Sequence, residues 1–177
     1  MRFAPRFVAL LLALGVNALP AASGWLHWRG PDRNGVSPAQ QALPTDLALG
    51  GPNHRWSYKA HGAGTPVIAD GRVYAMCYYG ETTDVEEAIV CLDVKTGALI
   101  WEHRFKDFLS DTVYNRYGIG APYVDAETGN VYCESTCGVI MAFTRDGKKI
   151  WERSMMEEFG RLTFPNGRTG SLTTDGG

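Results

Sequence analysis

Apolar and polar positions along this chain fall into short runs, broken at intervals by glycine, proline and aspartate. The run from Ala88 to Leu92 is continuously apolar, the pattern of a strand buried on both faces. Asp93, Thr96 and Gly97 then supply turn chemistry, since Asp and Thr side chains can bond the turn backbone and glycine accepts a positive φ. A second strand follows and ends on Trp101. The same outline returns as Met141-Ala-Phe-Thr-Arg-Asp-Gly-Lys-Lys-Ile-Trp151. In both copies a glycine stands four residues before the tryptophan, an isoleucine precedes it and a glutamate (Glu102, Glu152) follows it.

The repeat extends upstream of that motif. Thr65-Pro-Val-Ile-Ala-Asp-Gly-Arg-Val-Tyr74 and Ala121-Pro-Tyr-Val-Asp-Ala-Glu-Thr-Gly-Asn-Val-Tyr132 each read as a proline-led strand, a turn and a Val-Tyr strand. Asp70-Gly71 is a favoured two-residue hairpin turn, and the second copy has a turn two residues longer. Proline is tolerated at a strand start, so Pro66 and Pro122 mark where each sheet begins. The spacing predicts four strands in the first unit, Pro66–Ala69, Val73–Cys77, Ala88–Asp93 and Ala98–Arg104. The second unit is predicted as Pro122–Val124, Val131–Ser135, Val139–Phe143 and Lys148–Arg153. Four short antiparallel strands per repeat of roughly 40–50 residues is the signature of a β-propeller blade. The fold class expected is therefore all-β, a partial propeller with two complete blades and parts of two more. Arg55–Tyr58 reads as the last strand of a preceding blade, and Thr169–Gly177 as the start of a following one.

Asp93-x-x-Thr96-Gly97-x-x-x-Trp101 resembles the tryptophan-docking motif of the pyrrolo-quinoline quinone (PQQ)-like β-propeller repeat family, written Ala-x-Asp-x-x-Thr-Gly-x-x-x-Trp. Cys91 stands in the first position instead of alanine. The second copy keeps Gly147 and Trp151 and has Met141, Phe143 and Asp146 at the other motif positions. The resemblance covers about residues 56–177 and implies that each indole docks between adjacent blades. It implies activity less narrowly, because the family holds quinone-dependent dehydrogenases as well as non-enzymatic scaffolds of the BamB-like type. In the dehydrogenases an adjacent Cys-Cys disulfide covers the cofactor and a Glu, Asn and Asp set binds calcium. Neither motif is found here, so PQQ and Ca²⁺ are implied only by the resemblance.

Composition narrows the rest. With 45% hydrophobic, 11% aromatic and 20% charged residues, the 177-residue chain has an ordinary globular profile. Twenty-one glycines and nine prolines suit many turns between short strands. A formal charge of −2 and the absence of a basic stripe argue against a nucleic-acid partner. Residues 1–23 carry Arg2 and Arg6 ahead of the apolar run Phe7–Leu14 and end in small residues. That is the layout of a signal peptide cleaved after Ser23, giving an exported, periplasmic or extracellular protein. Asn17 and Pro20 interrupt the run before it reaches the roughly 20 residues a membrane anchor needs, so no stable anchor is expected. Residues 24–55 form a Trp-rich leader and loop, similar to the Trp and Arg-Gly-Pro leader of exported PQQ-like proteins. In that setting it would lie over the propeller surface with its tryptophans tucked against a blade. Residues 56–177 are expected to form the repeat domain, truncated at the hairpin turn of a third blade.

Candidate chemistry is sparse. Disulfides are allowed among Cys77, Cys91, Cys133 and Cys137 in an exported protein; Cys91, in a core strand, is expected as a buried thiol, and Cys133 and Cys137 flank a tight hairpin and could pair. The histidines are scattered and no catalytic or metal-ligating motif surrounds them, so no catalytic, cofactor-binding or metal residue is assigned. Three inserts stand out. Tyr78–Glu87 is acidic. Lys106–Tyr117 carries Phe108, Tyr114, Arg116 and Tyr117, and Met155–Asn166 carries Phe159, Arg161 and Phe164. The last two follow equivalent strands and so emerge on one face, where their aromatics either plug gaps between blades or bind a protein partner or small ligand. The functional expectation is a rigid binding or assembly scaffold; the alternative is part of a quinone- and calcium-dependent alcohol or sugar dehydrogenase.

Overall fold

In the computed structural model, residues 21–38, 42–106, 116–160 and 170–174 are described. They form two antiparallel sheets that do not close on themselves, a partial β-propeller. The first sheet runs β1 (Gly24–Trp25), β2 (Val67–Ala69), β3 (Arg72–Tyr79), β4 (Glu86–Asp93) and β5 (Leu99–Phe105) in that order. The second runs β6 (Tyr123–Val124), β7 (Val131–Glu134), β8 (Val139–Phe143) and β9 (Lys149–Ser154). A five-residue helix, α1 (Met155–Phe159), follows β9.

The apolar run in β4 is buried on both faces, as its sequence predicts. Ile89 and Cys91 join Val67, Ala69, Tyr74 and Met76 on one side. That side meets Val124, Val131, Cys133, Met141 and Phe143 of the second sheet, so the main core is the seam between the two blades. Ala88, Val90 and Leu92 point the other way with Val73 and Cys77, under Trp56, Tyr58 and Ala60. Period-two alternation thus loads two separate cores from one strand pair.

In both sheets the last pairing shifts register at the same place. Cys91 faces Trp101 while Leu92 faces Leu99, and Ala142 faces Trp151 while Phe143 faces Lys149. Ile100 and Ile150 are therefore the extra residues of matching bulges, each immediately before its tryptophan. A bulge increases local twist and re-aims the side chain that follows it.

Four elements differ from the sequence reading. β3 and β4 pair over eight residues each, so the acidic insert shrinks to Gly80–Val85 around a 3₁₀ turn at Thr82–Asp84. Glu86 and Glu87 are strand residues, because Glu87 finds backbone donors inside the fold. Arg55–Tyr58 is not a strand; it is an extended cover over the outer face of the first sheet. The leader does not simply lie over the surface: Gly24 and Trp25 pair with Ala69 and Ile68 on the inner edge of β2. Trp25 packs on Gly30, whereas Trp28 stays 45% exposed rather than tucked. Finally, Met155–Phe159 is helical, with Ser154 Oγ accepting from Glu157 N at 3.3 Å as its N-cap.

Candidate functional site

The tryptophan motif builds a turn and then a clasp. Asp93 Oδ1 accepts from Lys95 N (3.0 Å), Thr96 N (2.8 Å) and Thr96 Oγ1 (2.8 Å). Thr96 Oγ1 in turn accepts from Ala98 N, and Gly97 closes the turn at φ +70°. The Thr96 hydroxyl and then its amide hold the Asp93 carboxyl below the usual carboxylate range. The same device recurs where the sequence reading saw only a longer hairpin. Asp125 Oδ2 accepts from Thr128 N (3.0 Å) and from Thr128 Oγ1, with Gly129 at φ +70°.

Each clasp joins an indole to the glycine turn of the next sheet. Trp101 lies across Gly147, where a Cβ would stand 2.6 Å from the ring, and Trp101 Nε1 donates to Arg145 O at 2.9 Å. Trp56 lies across Gly97, where a Cβ would stand 2.5 Å from the ring, and Trp56 Nε1 donates to Val94 O at 3.0 Å. Only glycine permits both the positive φ and this approach. Trp56 is the docking residue of the preceding repeat, which sequence reasoning missed; the signal was a lone tryptophan standing ahead of a complete unit. Trp151 holds the Trp101 position within its own sheet, with Tyr132 at 6.1 Å and 48° matching Tyr74 at 5.9 Å and 50°. It is 41% exposed, and among the described residues no turn glycine lies against it.

Around the clasp, paired charges cross the seam. Arg72 meets Asp146 at 3.1 Å and Arg145 meets Asp70 at 3.3 Å. With Thr128, Gly129 and Asn130 they line a cleft of about 510 Å³. Exposed pairs of this kind each contribute roughly 0–1 kcal/mol, so they set register more than stability.

The opposite face carries the inserts. His61 pairs with Tyr78 through two backbone bonds, Tyr78 N to His61 O (2.8 Å) and His61 N to Tyr78 O (3.1 Å), and their rings stack at 5.2 Å. Tyr117 meets Tyr78 edge-on at 5.9 Å. His61, Tyr78, Arg116, Tyr117 and Ile119 line a cleft of about 290 Å³. On the other side of His61 and Tyr78 lies a second of about 280 Å³, bounded by Glu81, Thr82 and Val85. Beneath them Glu87 is 6% exposed and accepts from Gly118 N (2.9 Å), Thr136 Oγ1 (2.6 Å) and Thr136 N (2.9 Å). A buried carboxylate is tolerated when its oxygens are bonded in this way, and here it ties β4 to both connections of the next sheet. Gly118, at φ +61°, passes so close that a Cβ would sit 2.7 Å from Cys77 Cα.

Of the seven loop residues singled out from the sequence, Arg116 and Tyr117 therefore meet beside His61 and Tyr78. Phe159 is 66% exposed on α1, while Phe108, Tyr114, Arg161 and Phe164 lie outside the described residues. Sequence reasoning missed His61, Tyr78 and Glu87, because the first two are brought together only by cross-strand pairing and Glu87 read as part of an acidic loop.

Cys77, Cys91, Cys133 and Cys137 are all buried, and Cys133 and Cys137 are not joined by a disulfide. Burial pushes the Cys77 and Cys91 thiols up to about 11, far from the reactive range. Among the described residues no three His, Cys, Asp or Glu side chains are grouped to hold a metal ion, and no helix is long and apolar enough to cross a membrane.

No curated protein matches the chain. Among solved structures, the quinohemoprotein alcohol dehydrogenase from Comamonas testosteroni is similar at 22% identity and a TM-score of 0.37, over 55% of this chain. The matched part spans 14% of that enzyme's own chain. The family profile described as outer membrane protein assembly factor BamB matches residues 15–170. With most of its length covered by that profile, the chain belongs to the PQQ-like repeat family of the BamB type.

Proposed function

We propose that this protein is an exported scaffold whose insert-bearing face binds a protein partner. The observation that carries the reading is the His61–Tyr78–Tyr117 ring cluster with Arg116 at its edge, flanked by two clefts and set on the blade seam. Aromatic and arginine side chains on a rigid support are the residue types that dominate binding energy at protein interfaces. The support is rigid because Gly118 is tied to a buried carboxylate and packed backbone to backbone against Cys77. The family description, an assembly factor, points the same way. No catalytic role, quinone or calcium ion is needed for this function.

A photo-crosslinking side chain placed at His61, with a control at Lys95 on the opposite face, tests the reading in cells producing the protein. A discrete crosslinked partner from position 61, absent from position 95 and lost in the Arg116→Ala background, is the expected result. Equal labelling from both faces overturns it. Dye-linked alcohol oxidation that depends on added quinone and Ca²⁺ would transfer the protein to the enzyme class.

A further inference from the structure

The leader strand has hydrogen-bond partners on both of its edges. Toward β2, Gly24 and Trp25 pair with Ala69 and Ile68, and Asp70 N donates to Ser23 O at 3.0 Å. Toward β6, Ala22 N donates to Ala126 O (2.6 Å) and Leu26 O accepts from Val124 N (3.0 Å). Odd and even residues alternate between the two sides, as an extended chain requires. One short segment thus caps the inner edges of both blades, edges that would otherwise stand open as pairing templates.

The fit is specific in side chains as well. At Gly24 φ is +138°, and a Cβ would lie 2.3 Å from Ile68 O, so this position admits glycine alone. Ser23 donates to Asp70 Oδ1 through both its amide (3.0 Å) and its hydroxyl (3.3 Å). Ala22 and Leu26 pack on the inter-blade core. His27 is 5% exposed, with Nδ1 accepting from Arg29 N and Nε2 without a hydrogen-bond partner. Further along, Arg33 donates to Thr174 O at 3.0 Å, so the leader also reaches the segment that follows the second blade. In contrast, residues 31–38 and 42–50, which connect this segment to the blades, are exposed.

We propose that the inner edges of β2 and β6 form a binding slot for one extended, uncharged peptide of the pattern small-Ser-Gly-Trp-Leu, and that residues 22–26 fill it as a tethered internal ligand, the signal-peptide cleavage then falling ahead of Ala22 and not after Ser23. The backbone edges supply affinity and the Gly24 position supplies selectivity, the division of labour of strand-addition sites. The exposed tether keeps the effective concentration of the leader high, so an outside peptide enters only when the leader is released.

The test uses the full chain with a specific protease site inserted between Val36 and Pro38, cut after folding. A fluorescein-labelled synthetic peptide of residues 21–35 is then titrated by anisotropy. Saturable binding to the cut chain, at least tenfold weaker binding of the Gly24→Ala peptide and no binding to the uncut chain are expected. Failure of the labelled peptide to enter the cut chain, or equal binding of both peptides, overturns the proposal. If cutting costs the chain its fold, amide exchange on the uncut Gly24→Ala protein decides instead. The Asp70 and Val124 amides should lose protection while those within the β3–β4 ladder keep theirs, and unchanged protection at the first two overturns the slot.

Discussion

Trp101 and Trp151 occupy the same corner of consecutive sheets, after matching bulges and against the equivalent tyrosines Tyr74 and Tyr132, yet among the described residues only Trp101 meets a glycine turn. Trp101 is covered by Gly147 and bonded to Arg145 O; Trp151 has matching surroundings on its own sheet and is 41% exposed. The local code is therefore only half of the motif. The other half is a glycine turn on the following repeat, and the pair Trp56–Gly97 shows the complete arrangement a second time. The indole's energetic role depends on whether that turn is present.

Substitution should separate the two corners sharply. Trp101→Ala removes a ring packed between Tyr74 and Phe143 and should cost about 3–5 kcal/mol. Trp151→Ala should cost about 1–2 kcal/mol, since much of its ring is already in water. Urea midpoints measure both, and equal losses would break the comparison. Glycines sharpen it next. Gly147→Ala adds a methyl against the Trp101 ring at φ +85° and should cost about 3 kcal/mol through overpacking and backbone strain together. Gly129→Ala, at φ +70° with nothing nearer than 4.0 Å, should cost only the strain, about 1 kcal/mol. Similar midpoints for the two variants would show that the ring is not seated on Gly147.

The smallest effect is a pH dependence at the seam. His103 of β5 packs on Phe143 of the next sheet at 5.1 Å, and burial, with Lys149 nearby, lowers its pKa from 6.5; Glu152 acts weakly the other way. The folded state thus prefers neutral imidazole. As pH falls through 6.5 the unfolded chain takes up the proton first, so stability present above 6.5 declines toward the lower folded value. Burial of His27, with Arg33 and Arg29, acts in the same direction. Between pH 7.5 and 5.5 the urea midpoint should fall, and it should fall less in His103→Gln.

Much of this fold was legible in the chain because it is written in local terms. The continuous apolar run of β4, the Asp93-Thr96-Gly97 turn and the matched Ile-Trp ends are all set by residues near one another in sequence. The missed features are set by residues far apart. Trp56 has no neighbouring motif to announce it, since its partner glycine belongs to the next repeat. Glu87 read as a solvated charge because its donors, Gly118 and Thr136, come from other connections. β1 has only two residues, one of them glycine, and draws its order from the edges of β2 and β6. The Asp125-Thr128-Gly129 turn was hidden for a different reason: its spelling matched Asp93-Thr96-Gly97, but it stands in another hairpin of the blade.

Hydrogen exchange of the indole N–H groups, resolved by ¹⁵N–¹H spectroscopy, addresses the clasp most directly. Trp56 and Trp101 should exchange slowly, because their Nε1–H groups are bonded to Val94 O and Arg145 O, while Trp151 should exchange near the rate of a free indole. Protection of Trp151 equal to that of Trp101, or free exchange at Trp101, would contradict the account.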